Sequence, residues 1–277
     1  MTREQKIMNR LQEHYDYLIA AGYEVVCLML QGSQNYGLDE YTDEYMSDID
    51  SKAIVLPHFR DFVEGSIGIS ATLVMENNEH IDVKDIRVMF DMFIKQNVSY
   101  IELLFTPFKI VNPKYAEMIN YIFDNREKIA AINHDLFLRC ILGMSGNKLK
   151  ALCHPYPNLK EKIEKYGFDG KQLSHCVRLF EFVSRYVAGT PLEECYISED
   201  REMLMNLKKQ LNAAGDRVLT QEEAVSACNF YFNATKMLVE GHLNGDEVDY
   251  QTIEEMKKLK TAILMKFFKE EVAACSN

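Results

Sequence analysis

No apolar run in this sequence approaches the roughly 20 residues needed to cross a bilayer. The longest, Val25 to Leu30 and Ile101 to Phe105, are short enough to be buried strand or helix segments. The first residues, Met1-Thr2-Arg3-Glu4-Gln5-Lys6, lack the apolar centre and small-residue cleavage site of a secretory signal, so a cytoplasmic protein without membrane contact is expected. No C-x-x-C pair occurs among the seven scattered cysteines, which excludes a zinc knuckle or dithiol redox centre and leaves reduced, mostly buried thiols. Internal repeats, low-complexity tracts and long flexible linkers are also lacking. A basic excess is absent as well: the net charge of −11 argues against coating nucleic acid by bulk electrostatics.

The charge is unevenly spread. Residues 1–115 carry 10 Lys and Arg against 18 Asp and Glu, whereas residues 139–186 carry 9 against 4. An acidic part that can take up metal cations precedes a basic segment that can face phosphates, or both are simply solvated surface.

The hydrophobic pattern divides the chain in a similar way. Thr2 with Gln5 forms a capping box ahead of an amphipathic helix with Ile7, Leu11 and Leu18 at helical spacing. Strands are predicted at Tyr23 to Leu30, Asp48 to Leu56, Ala71 to Met75 and His80 to Val83. From about Tyr115 onward the period is helical, with helix starts at Ser198, at Thr220 with Glu223, and at Thr252 with Glu255. The expectation is an α+β fold with a mixed sheet over residues 1–115, followed by an all-α helical domain over residues 116–277.

The chemistry concentrates between the first and the fourth predicted strand. Gln31-Gly32-Ser33-Gln34-Asn35-Tyr36-Gly37 follows the first strand, and Ser47-Asp48-Ile49-Asp50 opens the next. Alternate side chains of a strand share a face, so Asp48 and Asp50 project together. Two such carboxylates can hold magnesium or manganese, which keep waters and substrate phosphates in their shells. Gly32-Ser33 after a strand and before a helix start offers backbone N–H groups to phosphates. In Glu79-His80-Ile81-Asp82-Val83, Asp82 is either a third carboxylate of this set or the N-cap of the following helix.

Together these stretches resemble the DNA-polymerase-β nucleotidyltransferase superfamily, within it most closely the predicted nucleotidyltransferases associated with RNA repair. Their "GS-x-x-YG … SD-x-D" signature matches Gly32 to Gly37 and Ser47 to Asp50. Their "NP-x-x-x-E-L-L" matches Asn97 to Leu104, with Val98 in place of proline. Their "K-x-x-x-H-x-x-R-L" helix matches Lys171 to Leu179. The resemblance implies transfer of a nucleoside monophosphate from a nucleoside triphosphate, ATP foremost, to an acceptor hydroxyl. It implies Asp48, Asp50 and Asp82 as catalytic metal ligands, and Gly32, Ser33, Tyr36, Lys171, His175 and Arg178 as nucleotide-binding residues. The acceptor it suggests is an RNA end. A small hydroxylated molecule such as an aminoglycoside, a protein hydroxyl, and a sensor that binds nucleotide without transfer are the alternatives.

Each secondary candidate also has a plainer role. Tyr36 either stacks on a base or ribose or packs in its loop. Arg178 and His175 either face phosphates or serve as a structural ion pair and a cap. Glu102, in an apolar run, needs a buried partner such as Arg87 or Lys95. Lys148 and Lys150 either reach phosphate or remain solvated.

Overall fold

The computed structural model describes residues 1–41, 47–66, 68–245 and 247–275. The chain divides into two compact units, one of Met1–Asn35, Asp39–Asn133 and Glu247–Asn277, the other of Tyr36–Leu38 and His134–Asp246.

The first unit is built on a five-stranded mixed sheet of order β3-β4-β2-β1-β5, with β1 Glu24–Gln31, β2 Asp50–Leu56, β3 Ser70–Val74, β4 His80–Asp85 and β5 Lys109–Val111. Strands β2 and β4 are parallel, and the other neighbours are antiparallel. Helix α1, Arg3–Ala20, begins at the expected capping box on Thr2 and Gln5. Its apolar stripe of Ile7, Leu11 and Leu18 covers one sheet face, together with Val25, Leu28, Leu30, Ile49, Ala53, Val55, Ile81 and Val83. Each valine, leucine or isoleucine among them contributes about 1.5–3 kcal/mol when wholly buried. A one-residue slip of β4 would exchange Ile81 and Val83 for its His80, Asp82 or Lys84 side chains, so that register is strongly specified. By alternation Asp50 and Lys52 of β2, and His80, Asp82 and Lys84 of β4, lie on the opposite face.

The sheet unit does not end at residue 115. Helices Ala116–Asp124 and Arg126–Ala130 belong to it, and Tyr250–Cys275 returns to it from the far end of the chain. Phe268 meets the rings of Phe59 and Phe62 at 5.4 and 5.2 Å between centroids. Glu255 accepts hydrogen bonds from the Tyr121 hydroxyl at 2.6 Å and from Lys128 at 2.9 Å. The compact units thus do not divide at 115/116: apolar contacts and ion pairs over long sequence separation, invisible to a local period, tie the last helix to the helices of the sheet unit.

The second unit is helical, with its main helices at His134–Ala151, Gly170–Val187, Arg201–Lys208 and Gln221–His242. The Gly170–Val187 helix is the most buried of them, with Leu173, Cys176, Val177, Leu179, Phe182 and Val183 inside. Its start runs so close to the Arg201–Lys208 helix that a Cβ on Gly170 would stand 2.2 Å from the Leu207 carbonyl oxygen. No residue larger than glycine fits there. The chain is thus an α+β unit with a mixed sheet and a helical unit, as expected in class. Among the described residues no helix is long and apolar enough to cross a membrane.

Candidate active site

The carboxylate pair stands where β1 and β2 meet. Their antiparallel register pairs Gln31 with Asp50, which sets the Gly32-Ser33 turn beside the start of β2. Gly32 has φ +92, a left-handed conformation that glycine adopts without strain. The segment after it is a single 3-10 turn, Ser33–Tyr36, and not the opening of a longer helix. The phosphate-binding dipole expected of a helix start is therefore not built here, and what the turn offers is local backbone geometry. Gln34 links turn and strand, its side-chain amide donating to the Asp48 carbonyl at 3.0 Å.

Asp48 precedes β2 and is exposed; Asp50 opens the strand and is half-exposed. Ile49 between them is buried in the core under α1, and Asp50, on the strand, lies on the other face of the sheet. Asp50 Oδ1 accepts from the His80 backbone N–H at 2.9 Å and lies 3.2 Å from His80 Nδ1.

Glu79, at the mouth of β4, anchors the pair from behind. Its carboxylate accepts from the Ile49 N–H at 3.2 Å, from Arg10 at 2.9 and 2.7 Å, and lies 3.1 Å from Nε2 of the fully buried His14. His14 Nδ1 is 2.9 Å from the Ser51 hydroxyl, so with its hydrogen on Nε2 the ring donates to Glu79 and accepts from Ser51. Burial alone would raise the Glu79 pKa, but the hydrogen bonds from His14 and Arg10 outweigh it and bring it down to about 2. The sequence carried a trace of this network. His14 falls on the apolar stripe of α1 between Leu11 and Leu18, where a polar side chain needs a partner.

Asp82 lies in the middle of β4, opposite Lys52 in the parallel register. Its Oδ2 is 2.5 Å from Lys52 Nζ, and its Oδ1 is 2.7 Å from Lys84 Nζ. Burial pushes the Asp82 carboxyl upward, and the two ammonium groups more than reverse that. Lys52 is 4% exposed and stands 4.2 Å from the centre of the Tyr100 ring; its desolvation lowers its pKa. Asp82 is not the N-cap of the next helix, a position taken by Asp85. Among the described residues no three Asp, Glu, His or Cys side chains gather so as to hold a metal ion. Expected as a third ligand beside Asp50, Asp82 instead gives both oxygens to lysines. Asp48 and Asp50 alone fit a hard divalent cation that keeps most of its shell as water and phosphate oxygen.

The remaining nucleotide-binding candidates belong to the second unit. Arg178 is 5% exposed, its guanidinium lies 3.7 Å from the centre of the Tyr36 ring, and its Nε has no hydrogen-bond partner among the described residues. Tyr36 thus packs against Arg178, the cation–π geometry satisfying part of a buried charge. His175, one turn before Arg178, has its pKa lowered well below the ordinary value by burial and by the charges of Arg178, Lys148, Lys171 and Lys208. It is neutral at pH 7, a donor without charge. Lys171 is exposed in the first turn of the Gly170–Val187 helix.

No protein-family model matches the chain, and no curated protein matches it. Among solved structures it is similar to the crystal structure of a nucleotidyltransferase-like protein from Exiguobacterium sibiricum 255-15, with 12% identity over 95% of this chain and 91% of that one and a TM-score of 0.30. The functional reading therefore rests on the residues.

Two further candidates have structural partners. Arg87 is committed to Asp85 at 2.6 Å and not to Glu102, whose charge acts on Lys52. Lys162 pairs with Asp169 at 2.8 Å, while Lys150, Lys160 and Lys165 are exposed.

Proposed function

We propose that the protein is a metal-dependent nucleotidyltransferase, moving a nucleoside monophosphate from a nucleoside triphosphate, ATP foremost, to an acceptor hydroxyl with release of pyrophosphate. The observation that carries this reading is the register Gln31 to Asp50, which sets Gly32 and Ser33 beside the half-exposed Asp50, with the exposed Asp48 tied to the same turn through Gln34. Asp48 and Asp50 would hold magnesium or manganese, whose charge when bound offsets that developing on the phosphate oxygens. The acceptor oxygen attacks the α-phosphorus, the bond to the bridging oxygen breaks, and the hydroxyl proton leaves to solvent or a base. Asp82 is the third acid of the reading, but its low basicity beside Lys52 and Lys84 suits it to supplying charge and not to taking up that proton. Gly32 and Ser33 would meet the phosphates through backbone N–H groups, and Lys171, His175 and Arg178 would supply further donors, with Tyr36 holding Arg178 in place.

The test is incubation with each α-labelled nucleoside triphosphate, magnesium or manganese, and separate pools of RNA, protein and small metabolites. Label on one pool with stoichiometric pyrophosphate is expected. Nucleotide binding without pyrophosphate release would favour the sensor, a reading that the lysine-paired Asp82 supports.

For Arg178→Ala the expected loss in nucleotide binding is about 1.5–3 kcal/mol, the usual scale for a charged hydrogen bond. Lysine would restore only part of it, lacking the planar fork. Calorimetric titration with a non-hydrolysable nucleotide, beside a thermal melt to control for the lost packing on Tyr36, reads this out. Unchanged affinity would return Arg178 to a structural role.

The acceptor proposed is RNA, on the positive balance of residues 139–186. Contacts from three or four of Lys148, Lys150, Lys160 and Lys165 to single-stranded phosphates would give log affinity a slope of about −2 to −3 against log salt. Fluorescence anisotropy with a single-stranded RNA should show that slope, flattened in Lys148→Ala with Lys150→Ala. Absence of RNA binding at low salt, with nucleotide still bound, would move the acceptor to a small molecule or a protein.

A further inference from the structure

We infer that Lys52 stands in for a second divalent cation, so that the site recruits one metal ion, on Asp48 and Asp50, and Asp82 ligates none. This rests on the nucleotidyltransferase reading and specifies how its charge is supplied.

The parallel pairing of β2 with β4 puts Lys52 beside Asp82, and alternation puts Lys52 on the face of Asp50, two residues along the same strand. The Lys52 ammonium is held from two sides, by Asp82 Oδ2 at 2.5 Å and by the Tyr100 ring at 4.2 Å, and only 4% of the residue is exposed. The second oxygen of Asp82 accepts from Lys84 at 2.7 Å, with the Thr72 hydroxyl at 3.4 Å. Both lone-pair faces of Asp82 are thus turned to ammonium groups. With an ammonium group on each of its oxygens Asp82 is already charge-matched, the Glu102 charge also acting on Lys52, so a divalent cation would have to displace a lysine to bind Asp82. In two-metal phosphoryl transfer the second ion supplies fixed positive charge near the reacting oxygens. A desolvated, clamped ammonium supplies fixed charge in the same place without a ligand shell to assemble.

Manganese titrated into the full-length protein with a non-hydrolysable nucleoside triphosphate, followed by the loss of the free-ion electron paramagnetic resonance signal, counts the ions directly. One ion per chain is expected for wild type, and two for Lys52→Met, in which Asp82 Oδ2 is released. In Asp82→Asn the manganese affinity should stay within about two-fold, whereas loss of a true ligand or its support costs about ten-fold or more. This second variant keeps the test decisive if Lys52→Met does not fold. Two ions on wild type, one ion on a folded Lys52→Met, or a ten-fold weakening in Asp82→Asn would each overturn the inference and leave the nucleotidyltransferase reading standing. No ion on wild type in the presence of nucleotide would overturn both.

Discussion

Asp50→Asn is expected to slow nucleotidyl transfer by on the order of a thousand-fold, about 4 kcal/mol of barrier, while the protein keeps its fold. The expectation follows from where Asp50 sits. It opens β2 on the face away from the α1 core and is half-exposed, so its charge is available to a cation and no packing depends on it. The amide oxygen of asparagine can still accept from the His80 backbone N–H, now made at 2.9 Å, and the β2–β4 junction survives. Asp48→Asn should behave likewise, because Asp48 precedes β2 and is exposed, and its main-chain carbonyl keeps the bond from Gln34 in the variant. Pyrophosphate release measured beside a thermal melt checks both. Wild-type turnover in the two variants would remove the metal site from the mechanism.

The second large effect is on stability. Glu79→Ala removes the acceptor for Arg10, for buried His14 and for the Ile49 N–H together. Breaking one side of a buried charged network typically costs about 3–5 kcal/mol, a large share of the roughly 5–15 kcal/mol by which domains are stable. Glu79→Gln should lose less, since it keeps an acceptor for Ile49. The pH dependence has a definite sign. Glu79 has a folded-state pKa of about 2, below the ordinary glutamate value, so its contribution is complete above that ordinary value and is lost as pH falls towards 2. Urea midpoints at neutral pH and at successively lower pH should converge for wild type and Glu79→Gln. A constant gap down to pH 2 would falsify the role assigned to the carboxylate.

Much of the fold could be read from periods and caps. The capping boxes at Thr2 with Gln5 and at Thr220 with Glu223 both form, and the apolar run after Tyr23 is β1. Other starts went to a competing polar group nearby. The helix expected after Ser198 is capped by Asp200, with Ser198 bonded to Glu181 instead. The last helix begins at Tyr250, its Thr252 hydroxyl on Asp249 and its Glu255 drawn to Tyr121 and Lys128. Strand β5 is three residues long, too short for any alternation to register.

In the site, the D-x-D and the Gly-Ser turn were legible because each is local. The Lys52–Asp82 pair was not, because it depends on which strand lies parallel to β2 and in what register. Nothing within either segment specifies that pairing. Glu79 was visible as a residue but not as an anchor, since its partners come from α1 and from the backbone of Ile49.

The return of the Tyr250–Cys275 helix to the sheet also constrains the order of events during synthesis. The ribosome makes every strand of the sheet, then the whole of residues 134–246, and only afterwards the helix that covers Phe59–Val63 and Ile86–Ile94. At elongation rates of roughly 5–20 residues per second, that leaves those two helices without their cover for on the order of ten seconds. The inserted helical unit is complete while these helices are still waiting. A nascent chain stalled before Glu247 would therefore have a finished helical unit while Phe59 and Phe62 lack the Phe268 ring and stay open to chaperones.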